Sequence, residues 1–262
     1  GGRRVVCEIT RWTSLGPPPS IPPSPGSFSY KYDSFLSKYP RLHALHNTVV
    51  NGSRWCVMDV KQLWVLRSMN IEKESDRKKL TIPQLETLIQ TRCEIPKVTA
   101  IIILLPLPLT IYVLGIAVIF FPRLVLTRHF WSRQQREEFF LSDVKKGLEG
   151  GASLSQSNLP SSIEELDSNQ RRELCKLYGG LGIIPWSSIG LKHRYLLTKT
   201  LDEQMDVSSL NRDQLIFHLF IRRCIYSIDD NDESLRKKLS DVIQERSSSS
   251  PVQYLTSPLR SV

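Results

Sequence analysis

From Val98 to Phe121 the chain reads VTAIIILLPLPLTIYVLGIAVIFF, twenty-four residues without a charge, sixteen of them Val, Ile, Leu or Phe. As a helix rising about 1.5 Å per residue the run reaches roughly 36 Å, enough to cross a hydrocarbon layer of about 30 Å with some tilt. Each aliphatic or Phe residue favours insertion by about 0.3–0.6 kcal/mol, and no ionised side chain opposes them. The run therefore predicts a single transmembrane helix over 98–121. Pro106 and Pro108 lie inside it, remove two backbone donors and free the carbonyls of Ile102 and Leu104. The expected result is a kink, either absorbed by 3₁₀ adjustment and local water or packed against another span.

The flanks set the remaining organisation. Residues 1–27 hold Arg3, Arg4 and Arg11 and then GPPPSIPPSPGS, which read as a presequence remnant and a Pro-rich linker. An N-terminal helical region is expected over 28–97. Within it Leu42, Leu45, Val49, Cys56, Val60 and Leu63 fall at the spacing of one helix face. A core-facing helix is the reading of that face, with a helix lying on a membrane surface as the alternative. A second helix opens near Thr81, with Pro83 and Glu86 in its first turn. Beyond the span, 122–146 is a basic juxtamembrane helix.

Glu94 and Lys97 before the run, and Arg123, Arg128, Trp131 and Arg133 after it, are expected at the membrane interface. Lys and Arg are evenly divided between the two sides, so charge leaves the orientation open. Gly and Ser dominate 147–162, predicting a flexible linker, and 163–246 reads as a C-terminal helical domain. The acidic run Asp229–Glu233 caps the last of its helices rather than holding calcium, because Ser234 and Ser240 stand where a calcium loop needs Gly and Glu. The tail 247–262 is expected to be disordered.

A net charge of +9 suggests an anionic partner, either lipid headgroups or RNA, although the dispersed basic residues also fit a plain solvated surface. The five cysteines show neither CxxC spacing nor a Cys/His cluster, which predicts free thiols and no zinc site. No GxxxxGK[ST], GxGxxG, HExxH or GxSxG occurs. No catalytic, cofactor-binding or metal-binding residue is expected, and the chain does not read as an enzyme. Asn51-Gly52-Ser53 is a glycosylation sequon that would mark a secretory route if occupied.

Several segments together resemble the LETM family, the leucine-zipper/EF-hand-containing transmembrane proteins, and within it the short LETM-domain branch that lacks both of those elements. The residues that carry the likeness are Lys31, Tyr32, Phe35 and Leu36, then Pro40–Arg41, Gly52, Asp59, Glu94 and Lys97, the run closed by Phe121–Arg123, and RHFW with QQ at Arg128–Trp131 and Gln134–Gln135. ELCKLYGG from Glu173, HRYLLTKTLDEQM from His193, LNRDQL from Leu210 and the Leu235/Leu239 helix continue it. The resemblance implies an all-α fold: one Pro-kinked transmembrane helix flanked by amphipathic helices, with a C-terminal 14-3-3-like LETM domain. It implies a single-pass protein of the mitochondrial inner membrane with that domain in the matrix, acting in ribosome binding, respiratory-complex biogenesis and mitochondrial organisation. The alternative it keeps open is cation/proton exchange and volume homeostasis.

The partners implied are the lipid bilayer, the mitochondrial ribosome, and assembly factors or a second copy of the chain, with no DNA. Lys192, Arg194, Lys199, Arg222, Arg223, Arg236, Lys237 and Lys238 are the expected partner-binding residues. Where the family commonly has Arg-Gly, this chain has Arg222–Arg223, which leaves the end of that helix without its glycine.

Overall fold

The computed structural model describes residues 30–31, 34–35, 37–104, 123, 127–156, 158–179 and 187–260, and all regular structure among them is helical. The main elements are α1 (Pro40–Leu66), α2 (Glu74–Arg77), α3 (Ile82–Leu104), α4 (Arg133–Gly151), α5 (Ser168–Leu177), α6 (Ser187–Gln204), α7 (Arg212–Ile221), α8 (Asp232–Arg246) and α9 (Pro251–Thr256). Short 3₁₀ turns occupy Arg128–Phe130, Ala152–Gln156, Val207–Ser209 and Ser257–Arg260. The chain divides into two compact units: residues 1–66 with 94–132, and residues 67–93 with 133–262.

Pro106, Pro108 and most of the uncharged run lie outside the described residues; its first seven, Val98–Leu104, continue α3. Among the described residues no helix is long and apolar enough to cross a membrane. The helix expected to open near Thr81 does so, but it passes without a break through Glu94, Pro96 and Lys97.

In the first unit α1 buries Gly52, Trp55, Asp59, Gln62 and Leu66, a stripe spaced three and four apart. This is not the face that apolar spacing selects. Val49 and Val60 from that set are 48% and 37% exposed. The buried stripe contains a glycine, an aspartate and a glutamine, so a hydrophobicity pattern passes over it.

The second unit is built around an aliphatic and aromatic core in which Leu85, Val144, Leu177, Leu201, Leu215, Phe217, Leu219, Leu235, Leu239 and Val252 are completely buried. Its helices start where side chains satisfy the orphan backbone donors. Asp167 and Gln170 form a capping box on α5, Asn211 and Gln214 another on α7, and Asn231 caps α8, so the acidic run does serve the last long helix as expected.

Two segments depart from expectation in the same direction. The Gly- and Ser-rich stretch from 147 is no flexible linker: α4 extends to Gly151, and Leu154, Ile163 and Leu166 are buried. Gly147 is there for proximity, since a Cβ on it would run into the Leu177 carbonyl of α5. The tail after Ser247 is ordered to Arg260. Ser250 caps α9 in a capping box with Gln253, Pro251 takes the first turn, and Val252, Tyr254 and Leu255 are buried, with the Tyr178 hydroxyl donating to the Leu255 carbonyl at 2.8 Å. A run of serines hides this, because the apolar residues come after it.

Candidate functional site: buried ion clusters and a divided basic set

The chain places several charged side chains where water cannot reach them. In the first unit the turn Arg128–Phe130 lies against α1 at Gly52, where a Cβ would come within 2.7 Å of the His129 carbonyl oxygen, so only glycine allows the approach. That contact brings the Arg128 guanidinium to the Asp59 carboxylate at 2.7 Å and His129 Nε2 to the same oxygen at 3.1 Å. Glu94 stands 3.6 Å from Arg128 Nε and 3.8 Å from His129 Nδ1, which also meets the Thr127 hydroxyl at 2.9 Å. Trp55 closes the cluster, with its ring 4.7 Å from the His129 ring and under the Arg128 guanidinium at 5.6 Å.

Arg128 is fully buried, and Asp59, His129 and Glu94 are 4%, 5% and 7% exposed. Burial alone would push the Asp59 carboxyl up, but the His129 hydrogen bond and the Arg128 charge outweigh it and hold the carboxyl below its usual range. The Cys56 thiol beside them is pushed up to about 11, first by burial and then by Glu94 and Asp59. It is an unreactive thiol. Cys56, Cys175 and Cys224 form no disulfide.

In the second unit Asp202 on α6 accepts from the Arg222 guanidinium and from the Tyr254 hydroxyl, and Arg222 also donates to the His218 carbonyl at 2.8 Å. Arg246 donates to the Arg222 carbonyl at 2.9 Å and lies against the Tyr254 ring at 5.1 Å. His218 Nε2 is 3.0 Å from Glu86, and burial pulls the imidazole below its ordinary value, with Glu86 only partly opposing. Arg77 is held by the Ile71 and Glu72 carbonyls and by the Thr200 hydroxyl.

These positions correct several expected roles. Glu94, Arg128 and Trp131, expected at a membrane interface, are buried in the first unit, while Lys97 lies in α3 and Arg123 is partly exposed. Arg133 stays exposed and pairs with Asp213 at 2.7 Å. Among the expected partner-binding residues Arg222 and Arg223 are 0% and 6% exposed and belong to the core, because each ends up against the turn that closes α7. Arg194 stacks over Tyr178 at 4.3 Å and donates to the Ile221 carbonyl; Arg236 and Lys238 donate to the Leu210 and Ile225 carbonyls. Lys192 reaches Glu72 and Glu164, Lys199 lies near the Tyr195 ring, and Lys237 is exposed. The eight do not form one open basic face. Sequence reasoning missed the Asp59–Arg128 pairing, for which the only signal was that both fall in motif residues sixty-nine positions apart.

The missing glycine after α7 has a structural answer. Arg223 takes φ 59°, the left-handed conformation, while its N–H bonds to the Phe220 carbonyl and the Cys224 N–H to the Leu219 carbonyl, each at 3.0 Å. This is a Schellman closure with arginine in the glycine position.

The described residues thus form a helical protein in which a polar turn lies against α1 and arginines are buried in each unit. A protein-family model described as "LETM1-like, RBD" matches residues 80–183. Over those residues, about two fifths of its length, the chain is similar to that family. Over 110 residues it is 32% identical to LETM1 domain-containing protein 1 of Xenopus tropicalis, a match covering 42% of this chain and 31% of that relative. No solved structure matches the chain.

Proposed function

We propose that the chain is a membrane-attached LETM-domain protein of the mitochondrial inner membrane that exposes its helical second unit to the matrix and binds ribosomes or respiratory assembly factors. The observation that carries this reading is the LETM1-like match over residues 80–183, which runs through the uncharged stretch Val98–Phe121 and into the second unit. The stretch supplies the anchor. The second unit supplies the binding surface.

Its water-accessible cations, not its buried ones, are the contacts: the exposed Lys237 and the half-buried Lys192 and Lys199 in place of Arg222 and Arg223. Contact with ribosomal phosphates releases counterions, so binding weakens as salt rises. Co-sedimentation of the chain with mitochondrial ribosomes at low and moderate salt tests this. Retention at low salt, reduced by Lys237→Glu, supports it; no co-migration at either salt removes it. The role is anchoring and binding rather than catalysis.

A second reading, cation/proton exchange, is favoured by one observation: Asp59, Glu94, Arg128 and His129 form a buried ionisable cluster in the unit that includes the uncharged stretch. With both carboxylates ionised the cluster is neutral only when His129 carries a proton. Proteoliposome flux abolished by Asp59→Asn supports it, and no cation flux from the wild-type chain removes it.

A further inference from the structure

We propose that the outer face of α1 lies on the surface of a bilayer containing anionic lipid, as a ridge formed by Val49, Val57, Val60 and Trp64. The inference rests on membrane attachment as read above and specifies a second, peripheral contact with the same membrane.

At 3.6 residues per turn, positions 49, 53, 57, 60 and 64 fall within an arc of about 80° on α1, and the buried positions 52, 55, 59, 62 and 66 fill another arc of about 80° centred about 140° away. The helix thus has two faces of different purpose. One is consumed by the turn at Arg128–Phe130 and its ion cluster. The other exposes Trp64 at 75%, Val57 at 51%, Val49 at 48% and Val60 at 37%. An isolated exposed valine needs no explanation, but a line of three with a tryptophan at its end is a surface built for contact.

Charge selects what it contacts. Arg54 and Lys61 are exposed beside the ridge, and Arg67 follows the helix. Asp59 is the only acidic residue in α1, and it is buried against Arg128. The water-facing charge of this helix is therefore entirely basic, which complements phosphate headgroups while the valines and the indole enter the interface. A second copy docked on the ridge would bring a second set of the same cations to one seam. Tryptophan is also the side chain most suited to the boundary between headgroups and chains.

The test uses the full chain in vesicles of phosphatidylcholine alone and of equal parts phosphatidylcholine and phosphatidylglycerol. The emission of wild type minus Trp64→Phe isolates Trp64 among the five tryptophans. In the anionic vesicles that difference spectrum is expected to shift to shorter wavelength, to be quenched by lipid brominated near the headgroup, and to lose most of its quenching by aqueous acrylamide. Val57→Glu, on the exposed face and so compatible with folding, is expected to restore acrylamide quenching without releasing the chain from the vesicles. Arg54→Glu with Lys61→Glu is expected to do the same.

Flotation of the chain with Trp64 still open to acrylamide overturns this proposal alone. Failure of the chain to float removes membrane attachment and the ridge contact together. Equal shielding in both lipids overturns the anionic preference. Shielding that grows with protein density in phosphatidylcholine assigns the ridge to a second copy and overturns the bilayer contact.

Discussion

Arg128 in the first unit and Arg222 in the second are both completely buried and both paired with an aspartate, yet their surroundings differ. Arg128 sits where, among the described side chains, the buried face of α1 offers Trp55 and Leu66 as large apolar groups beside Gly52, Asp59 and Gln62. Arg222 sits in a unit whose core holds Phe217, Leu215, Leu219, Leu235, Leu239 and Val252 at no measurable exposure. In the first unit the ion cluster is what fixes the turn against the helix. In the second, aliphatic burial does most of that and the ion pair adds direction. The lesson is that a buried arginine can be a keystone or a rider, and the neighbours decide which.

The contrast is sharpest under loss of charge. Arg128→Ala leaves Asp59 buried without its cation and is expected to cost about 3–5 kcal/mol, read as lost amide-exchange protection in α1. Asp59→Asn on that background should recover part of it. If Arg128→Ala leaves α1 protected, the keystone description of the first unit is wrong. Loss of apolar volume should instead weigh on the second unit: Leu255→Ala, in the ordered tail, is expected to cost about 2–4 kcal/mol, followed by thermal unfolding and by proteolysis after Ser250. No change in either would return the tail to the disorder expected from its serines.

Acidification should separate the units in order. His218 in the second unit is held neutral below its ordinary value, so the unfolded chain takes up its proton first and stability falls as pH drops below about 6.5. Asp59 in the first unit is depressed too, but its contribution is intact above about 3.9 and is lost only as pH falls further. Histidine and tryptophan signals recorded across that range would show the second unit loosening first, and His218→Gln would flatten its response. The smallest effect belongs to Arg223→Gly, which relieves a left-handed arginine at about 1–2 kcal/mol and gives up a guanidinium–Phe220 contact at 4.8 Å worth about 0.5–1 kcal/mol. A net gain under about 1 kcal/mol is expected in the midpoint of chemical denaturation.

How much of this could be read beforehand follows from what each residue type announces. The start of the last long helix was legible in the run Asp229–Glu233, since Asn231 stands immediately before a polar first turn that needs a cap. The motif residues Gly52, Asp59, Glu94 and Arg128 were singled out by resemblance, but their meeting was not, because no local pattern links positions on either side of a long uncharged run. The face of α1 was misread at Val49 and Val60 for a definite reason: apolar spacing finds surfaces that avoid water, and here those two valines are exposed while Gly52, Asp59 and Gln62 are buried. Glycines and serines between 147 and 156 look like slack, although Gly147 is a point of contact between α4 and α5.

The way the second unit is threaded has a consequence for biosynthesis. Residues 67–93 belong to it, yet they are made before the uncharged run, and Arg77 meets Thr200 only 123 residues later. Glu86 likewise precedes His218. A nascent chain therefore carries the early helical segments of this unit past the moment when the uncharged stretch emerges, with Leu85, Leu88 and Ile89 still lacking their cover. Closure of the unit therefore waits on residues made more than a hundred positions later.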